Sequence, residues 1–199
     1  MPKIGLAYIS DREDLYLPRC QKSVSSHIEY DFYAETVIDD REHKLGLAGA
    51  ANAAWQWAVE QDLDYLFHVE EDFIFTGAVD ILELRDILDL NPELAQVCLQ
   101  RQATAPHEIY AGGVMKALGA EARICNSCGL RWSVQSSIFS LNPSLIPRHV
   151  FELGWPTSNE SGFTQQLLDL GYAFGFLGHP SDMRVVDTIG NMRSAGWRE

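Results

Sequence analysis

The sequence predicts an α/β protein with a Rossmann-like, mainly parallel central sheet flanked by helices. Three observations predict it. Short apolar runs alternate with helix-period segments through the first hundred of 199 residues, the pattern of right-handed βαβ crossovers. The runs are near-continuous, as strands buried on both faces are. With 46% apolar and 22% charged residues, the chain has an ordinary globular composition, and its length suits one domain with a real core.

The elements follow in order. "KIGLAYI" (3–9) reads as a buried strand ending in the polar "SDRED". "REDLYLPRCQKSV" has mixed helical spacing, broken near Pro18. "YDFYAETVI" (30–38) is a second strand, closed by Asp39 and Asp40. In the Ala-rich helix 46–61, Leu47, Ala51, Ala54 and Ala58 share one stripe. "DYLFHV" (64–69) is a third strand, 77–90 an amphipathic helix stopped by Asn91-Pro92, and "LAQVCLQ" (94–100) a fourth strand. Residues 101–131 are rich in Gly, Ala and small polar residues and read as loops with one short helix. "WSVQSSIFSLNP" (132–143) alternates as a strand, and "SNESGFTQQLLDLGY" is a helix ending at Gly171. "AFGFLGH" and "MRVVDTIG" are short terminal strands.

The net charge of −13 argues against binding bare nucleic acid or an anionic membrane. A nucleotide remains open to it, because a metal ion inverts the local sign; a modified nucleic-acid base as acceptor also stays open. The N-terminus lacks the build of a signal peptide. No window approaches the roughly 18 apolar residues of a spanning helix. The four cysteines are too sparse for a disulfide framework, so a reducing cytoplasm is the expected setting. Cys125 and Cys128 form one C-x-x-C without a second ligand pair, and read as inert or loosely structural thiols.

The stretch "LFHVEEDFIF" (66–75) places Glu70, Glu71 and Asp72 side by side between apolar flanks. Crowded carboxylates repel and lose hydration, so something must offset them. In an open α/β sheet, ligands bind beyond the carboxyl ends of strands. Alternation points Glu70 and Asp72 to one side and Glu71 to the other. Two carboxylates on one side suit Mg²⁺ or Mn²⁺, which compensates the charge and holds a diphosphate leaving group. A solvated acidic turn is the competing account. His68 alternates with Leu66 and Glu70 and reads as a satisfied core histidine.

"AGAANAAWQWAVEQDLDYLFHVEEDFIF" resembles the heart of a GT-A nucleotide-sugar glycosyltransferase of the family-2 type. Ala50-Ala51-Asn52 stands where the family has an Ala-Arg-Asn-like helix start, with Ala at the Arg position. Glu70-Glu71-Asp72 stands as a variant of the DXD motif. The similarity covers residues 3–100 well and the remainder loosely. The resemblance implies a single GT-A-like domain over 1–199, with a nucleotide-sugar-binding half (1–100) and an acceptor-side half (101–199). It implies that Asp72 is the main metal ligand, with Glu70 on the metal or the ribose. Asp39 or Asp40 would bond the base or ribose. Ile9 and Ser10 would line the nucleoside pocket through backbone groups, and Asn52 would lie at the donor. The implied cofactor is Mn²⁺ or Mg²⁺, and the implied partner a UDP- or GDP-sugar donor, with the acceptor undefined.

Inverting enzymes of this class need a general base for the acceptor hydroxyl. The family often supplies an acid at the start of a helix in the second half, and Glu160 fits that place, although Ser161 replaces the usual second acid. Thr157-x-x-Glu160 is also a capping box, which would use the same carboxylate. His179 and Asp187 lie where the family sometimes adds a metal ligand, and Arg193 could neutralise diphosphate oxygens. Trp132 and Trp155 fit core packing better than sugar stacking.

No P-loop, no G-x-G-x-x-G after the first strand, no G-x-S-x-G and no H-E-x-x-H occurs. The expectation is a metal-dependent glycosyltransferase passing a sugar to a hydroxyl, with inversion where Glu160 is the base. The rivals are a nucleotidyltransferase of related fold and a non-catalytic nucleotide- or carbohydrate-binding module.

Overall fold

The computed structural model describes residues 2–11, 16–155, 160–179 and 182–188, apart from the side chains of 42 and 43. The first half alternates strand and helix as expected: β1 (Ile4–Ser10), α1 (Tyr16–His27), β2 (Ala34–Asp39), α2 (Asp40–His43), α3 (Gly46–Glu60) and β3 (Tyr65–Glu70). After β3 come the short β4 (Phe73–Phe75), α4 (Ile81–Leu90) and β5 (Leu94–Cys98). The second half holds α5 (Pro106–Ala111), α6 (Val114–Ala117), β6 (Glu121–Ile124), β7 (Arg131–Gln135), β8 (Ser144–Pro147) and α7 (Arg148–Phe151). It closes with α8 (Glu160–Asp169), β9 (Ala173–Leu177) and β10 (Val185–Asp187).

Eight strands form one sheet in the order β2-β1-β3-β8-β5-β9-β7-β6, and β10 pairs with β4 in a small second sheet. β2, β1 and β3 run parallel, as do β5 and β9. β8 and β7 run against their neighbours, so the sheet is mixed where the second half of the chain enters it.

Two apolar layers cover the sheet. On one face Leu6, Tyr8, Phe67 and Val69 pack against Cys20 and Val24 of α1 and Leu84 and Ile87 of α4. On the other, Ala7, Ile9 and Leu66 pack against Ala50, Ala51, Ala54 and Ala58 of α3. Small side chains let α3 lie close on the strands. Gly5 shows how close: a Cβ there would stand 2.2 Å from Leu63 Cδ1 and 3.2 Å from the Trp57 ring.

The sequence reading differs from the structure in the second half. The strand expected at 132–143 ends at Gln135, and the rest of that span is turn and loop. Gln135 breaks it by closing a turn: its Oε1 accepts from the N–H of Ser137 and of Ile138, and its Nε2 donates to the Ile138 carbonyl. The chain then re-enters as β8, between β3 and β5. Residues 101–131 contain two short helices and an edge hairpin. α5 stops at Gly112, whose φ of 84° is the left-handed conformation that glycine adopts freely. β6 is exposed along its length, so it carries no burial pattern to read. At the hairpin tip Cys125 and Cys128 are joined as a disulfide, which corrects the expectation of free thiols.

Candidate functional site

β3 ends at Glu70, and the next two acids divide as alternation requires. Glu71 turns inward and is buried. Its carboxylate accepts from the Ser10 hydroxyl and from the Asp11 N–H at 3.1 Å, and its own N–H donates to the Ile9 carbonyl at 3.0 Å. It welds the ends of β1 and β3 together. Glu70 and Asp72, both half-buried, turn the other way and line a cleft of about 400 Å³.

Asp187 lines the same cleft. Backbone pairing carries it there, since β10 sets Asp187 opposite Phe73. Two further contacts hold this strand. The Thr188 N–H and hydroxyl both donate to the Asp72 carbonyl, at 2.9 and 2.8 Å. The Gln102 amide grips the Asp187 backbone from the other side, donating to its carbonyl at 2.6 Å and accepting from its N–H at 3.0 Å.

Glu160 opens α8 and lines the same cleft with Ser140, Leu141 and Asn142. Its Oε1 accepts from the Leu141 N–H at 3.2 Å. Burial pushes its carboxyl above the ordinary value, against the opposing pull of that N–H and of the Arg101 charge. A raised glutamate is a better proton acceptor at neutral pH. Thr157, the other half of the expected capping box, lies outside the described residues, as does Arg193.

The remaining expected residues sit apart from this cleft. Ile9 is buried, with its carbonyl taken by Glu71, and the Ser10 side chain is likewise given to Glu71. Asp39 caps α2 and pairs with Arg41. Asp40 is buried and accepts from the N–H groups of Leu45 and, at 2.9 Å, Gly46, which orders the entry to α3. Asn52 spends its amide on Trp155, donating to the carbonyl at 2.7 Å and accepting from the N–H at 2.6 Å. His179 is exposed beyond β9, with its N–H on Asp182 and its carbonyl on Gln100. His68 is in the core, but neither ring nitrogen has a hydrogen-bond partner among the described residues, so "satisfied" does not hold. Burial pushes it down to about 4. Trp132 and Trp155 are buried in the core, Trp155 stacked on Phe163 at 4.8 Å.

Sequence reasoning missed Arg101, Glu108 and Gln102. All three follow β5 within a Gly- and Ala-rich segment without periodicity, where nothing marks one polar residue above another. Their position just past the carboxyl end of a strand was the available signal.

Among the described residues, no three histidine, cysteine or carboxylate groups converge to enclose a metal ion by themselves. Glu70, Asp72 and Asp187 nevertheless each present carboxylate oxygen to the cleft. That chemistry fits a hard divalent cation completing its shell with water and phosphate oxygens, as Mg²⁺ does with one or two carboxylates.

No protein-family model and no curated protein sequence matches the chain. Solved structures do. GalNAc-T7, crystallised with UDP, GalNAc and Mn²⁺, is similar over 99% of this chain at a TM-score of 0.62 and 11% identity. The mannosyltransferase PcManGT from Pyrobaculum calidifontis, in complex with GDP-Man and Mn²⁺, is similar over 96% at 0.59 and 14%. A197 from STIV is similar over 88% at 0.53 and 14%. The chain spans 45%, 58% and 82% of those three chains respectively. At such identities the likeness shows the fold, which is of the GT-A glycosyltransferase type.

Proposed function

We propose that this protein is a metal-dependent glycosyltransferase that takes a sugar from a UDP- or GDP-sugar and passes it to a hydroxyl acceptor. One observation carries the reading. At the carboxyl ends of the strands, one cleft is lined both by Glu70, Asp72 and Asp187 and by Glu160, whose carboxyl burial raises. Two transferases of the same fold hold Mn²⁺ with a nucleotide or nucleotide sugar.

Asp72 would be the principal ligand of Mn²⁺ or Mg²⁺, with Glu70 or Asp187 beside it and water and phosphate oxygens completing the shell. Bound there, the ion would neutralise the diphosphate and stabilise it as a leaving group. Glu160 would accept the proton of the acceptor hydroxyl as its oxygen attacks the anomeric carbon. Displacement by that oxygen from the face opposite the diphosphate inverts the anomeric centre.

The test is release of nucleoside diphosphate from a panel of UDP- and GDP-sugars with Mn²⁺, with Asp72→Ala as the control. The expected result is turnover in the unsubstituted protein and a loss of about a thousandfold or more in the variant, beyond one oxyanion-stabilising group. Asp72→Ala should keep its far-UV spectrum and melting transition. Pyrophosphate exchange in place of diphosphate release would establish the nucleotidyltransferase alternative.

A further inference from the structure

Arg101 has not entered the chemistry above, although it lines the same cleft. Its side chain is 17% exposed, and its guanidinium is engaged on one edge. Nη1 and Nη2 donate to the two oxygens of Glu108 at 3.0 and 2.8 Å, and Nη1 also reaches the Gln102 carbonyl and Thr104 Oγ1. Glu108 is held in turn. Its Oε2 accepts from the backbone N–H of Thr104 at 2.9 Å and of Ala105 at 3.0 Å. Burial pushes Glu108 up, but Arg101 and the two N–H groups together outweigh it and bring it down to about 2. Glu108 is therefore ionised and held by four donors. It serves as the brace of an arginine.

The other edge of the guanidinium, Nε–H with the second Nη2–H, makes no hydrogen bond among the described residues. Those two donors are parallel and match two oxygens of a phosphate or carboxylate. The cleft supplies carboxylates that a loose arginine would seize, and the ion pair recorded for Arg101 is with Glu108. Its neighbour Gln102 holds Asp187. The open edge thus belongs to the stretch that ties down one of the acids proposed to hold the metal.

We propose that Arg101, braced by Glu108, binds the diphosphate of the donor through its free Nε/Nη2 edge and holds that group as it leaves. This rests on the nucleotide-sugar reading and extends it to a residue other than the three acids. Glu108 keeps the guanidinium from collapsing onto Glu160 or Asp187, so one arginine serves an anion within an acidic cleft.

The experiment compares binding of UDP and GDP with that of uridine and guanosine, all with Mn²⁺, by titration calorimetry on the full chain. Arg101→Lys keeps the charge and loses the fork. It should weaken the diphosphate that binds the unsubstituted chain by roughly ten- to hundredfold, the value of a charge-assisted bidentate contact. The nucleoside should be unaffected. Taking the ratio of the two affinities within one preparation cancels the folded fraction. An unchanged ratio overturns the inference and leaves the glycosyltransferase reading standing; this is also the outcome if the open edge serves an anionic acceptor. Failure of the unsubstituted chain to bind either diphosphate overturns both. A second measurement needs no variant. UDP or GDP with Mn²⁺ should protect the Arg101 peptide from an arginine-selective dicarbonyl reagent while the nucleoside does not, and equal labelling with and without diphosphate would sink the assignment.

Discussion

Glu160 meets opposing demands from stability and chemistry. Burial favours its neutral form. Between the ordinary glutamate value and the raised one, the folded chain therefore holds more protons than the unfolded chain. Stability falls as pH rises through that window, and above it the cost of the buried charge is present in full. The proposed reaction needs the charged form, so the rate should fall as pH drops through the same window. Glu160→Gln keeps an oxygen for the Leu141 N–H and removes the charge. Its melting temperature should exceed that of the unsubstituted protein at neutral pH, and the gap should close in acid. Its turnover should drop by about 10²–10⁴-fold, the usual worth of a general base. A variant both active and no more stable would refute the assignment. The triplet that drew attention in the sequence divides by the same logic of environment: Glu71 is bonded inward, while Glu70 and Asp72 face the cleft.

The working parts lie between elements as much as on them. Asn52 of α3 grips the backbone of Trp155, 103 positions away. That clamp sets the aromatic cluster of Trp55, Phe139, Trp155 and Phe163 beneath α8, the helix that begins with Glu160. Asn52→Ala should cost about 2–3 kcal/mol in urea denaturation, because it orphans two backbone groups of a buried residue. An unchanged midpoint would show that the clamp is dispensable. Asn52 was legible in the sequence as a notable residue of a helix in the first half of the chain, but not as a bond to the second half. The same holds for Gln102 and Thr188, which fasten β10 beside Asp72. A side chain bonded to a distant backbone leaves no periodicity and no spacing, so only the folded chain displays it.

At the scale of the molecule, the cleft gathers residues from β3, the turn after it, the segment after β5, the start of α8, and β10. A ligand bridging these parts should stabilise them together. UDP or GDP at about 100 times its dissociation constant contributes about 2.7 kcal/mol, or roughly 5–10 °C in melting temperature for a chain of this size. The shift should require Mn²⁺ and disappear with EDTA; a shift indifferent to metal would count against the acidic cleft as a cation site. No helix among the described residues is long and apolar enough to cross a membrane. The sequence by itself determined the strand–helix alternation of the first hundred residues, the inward and outward split of the acidic triplet, and the burial of β1 and β3. These follow from local periodicity, because each residue's neighbours along the chain decide which face it shows. Only the tertiary structure decided the antiparallel insertion of β8, the seating of Asp187 beside Asp72, and the bracing of Arg101 by Glu108. Those depend on hydrogen bonds and strand pairings between segments whose spacing along the chain carries no signal of their meeting.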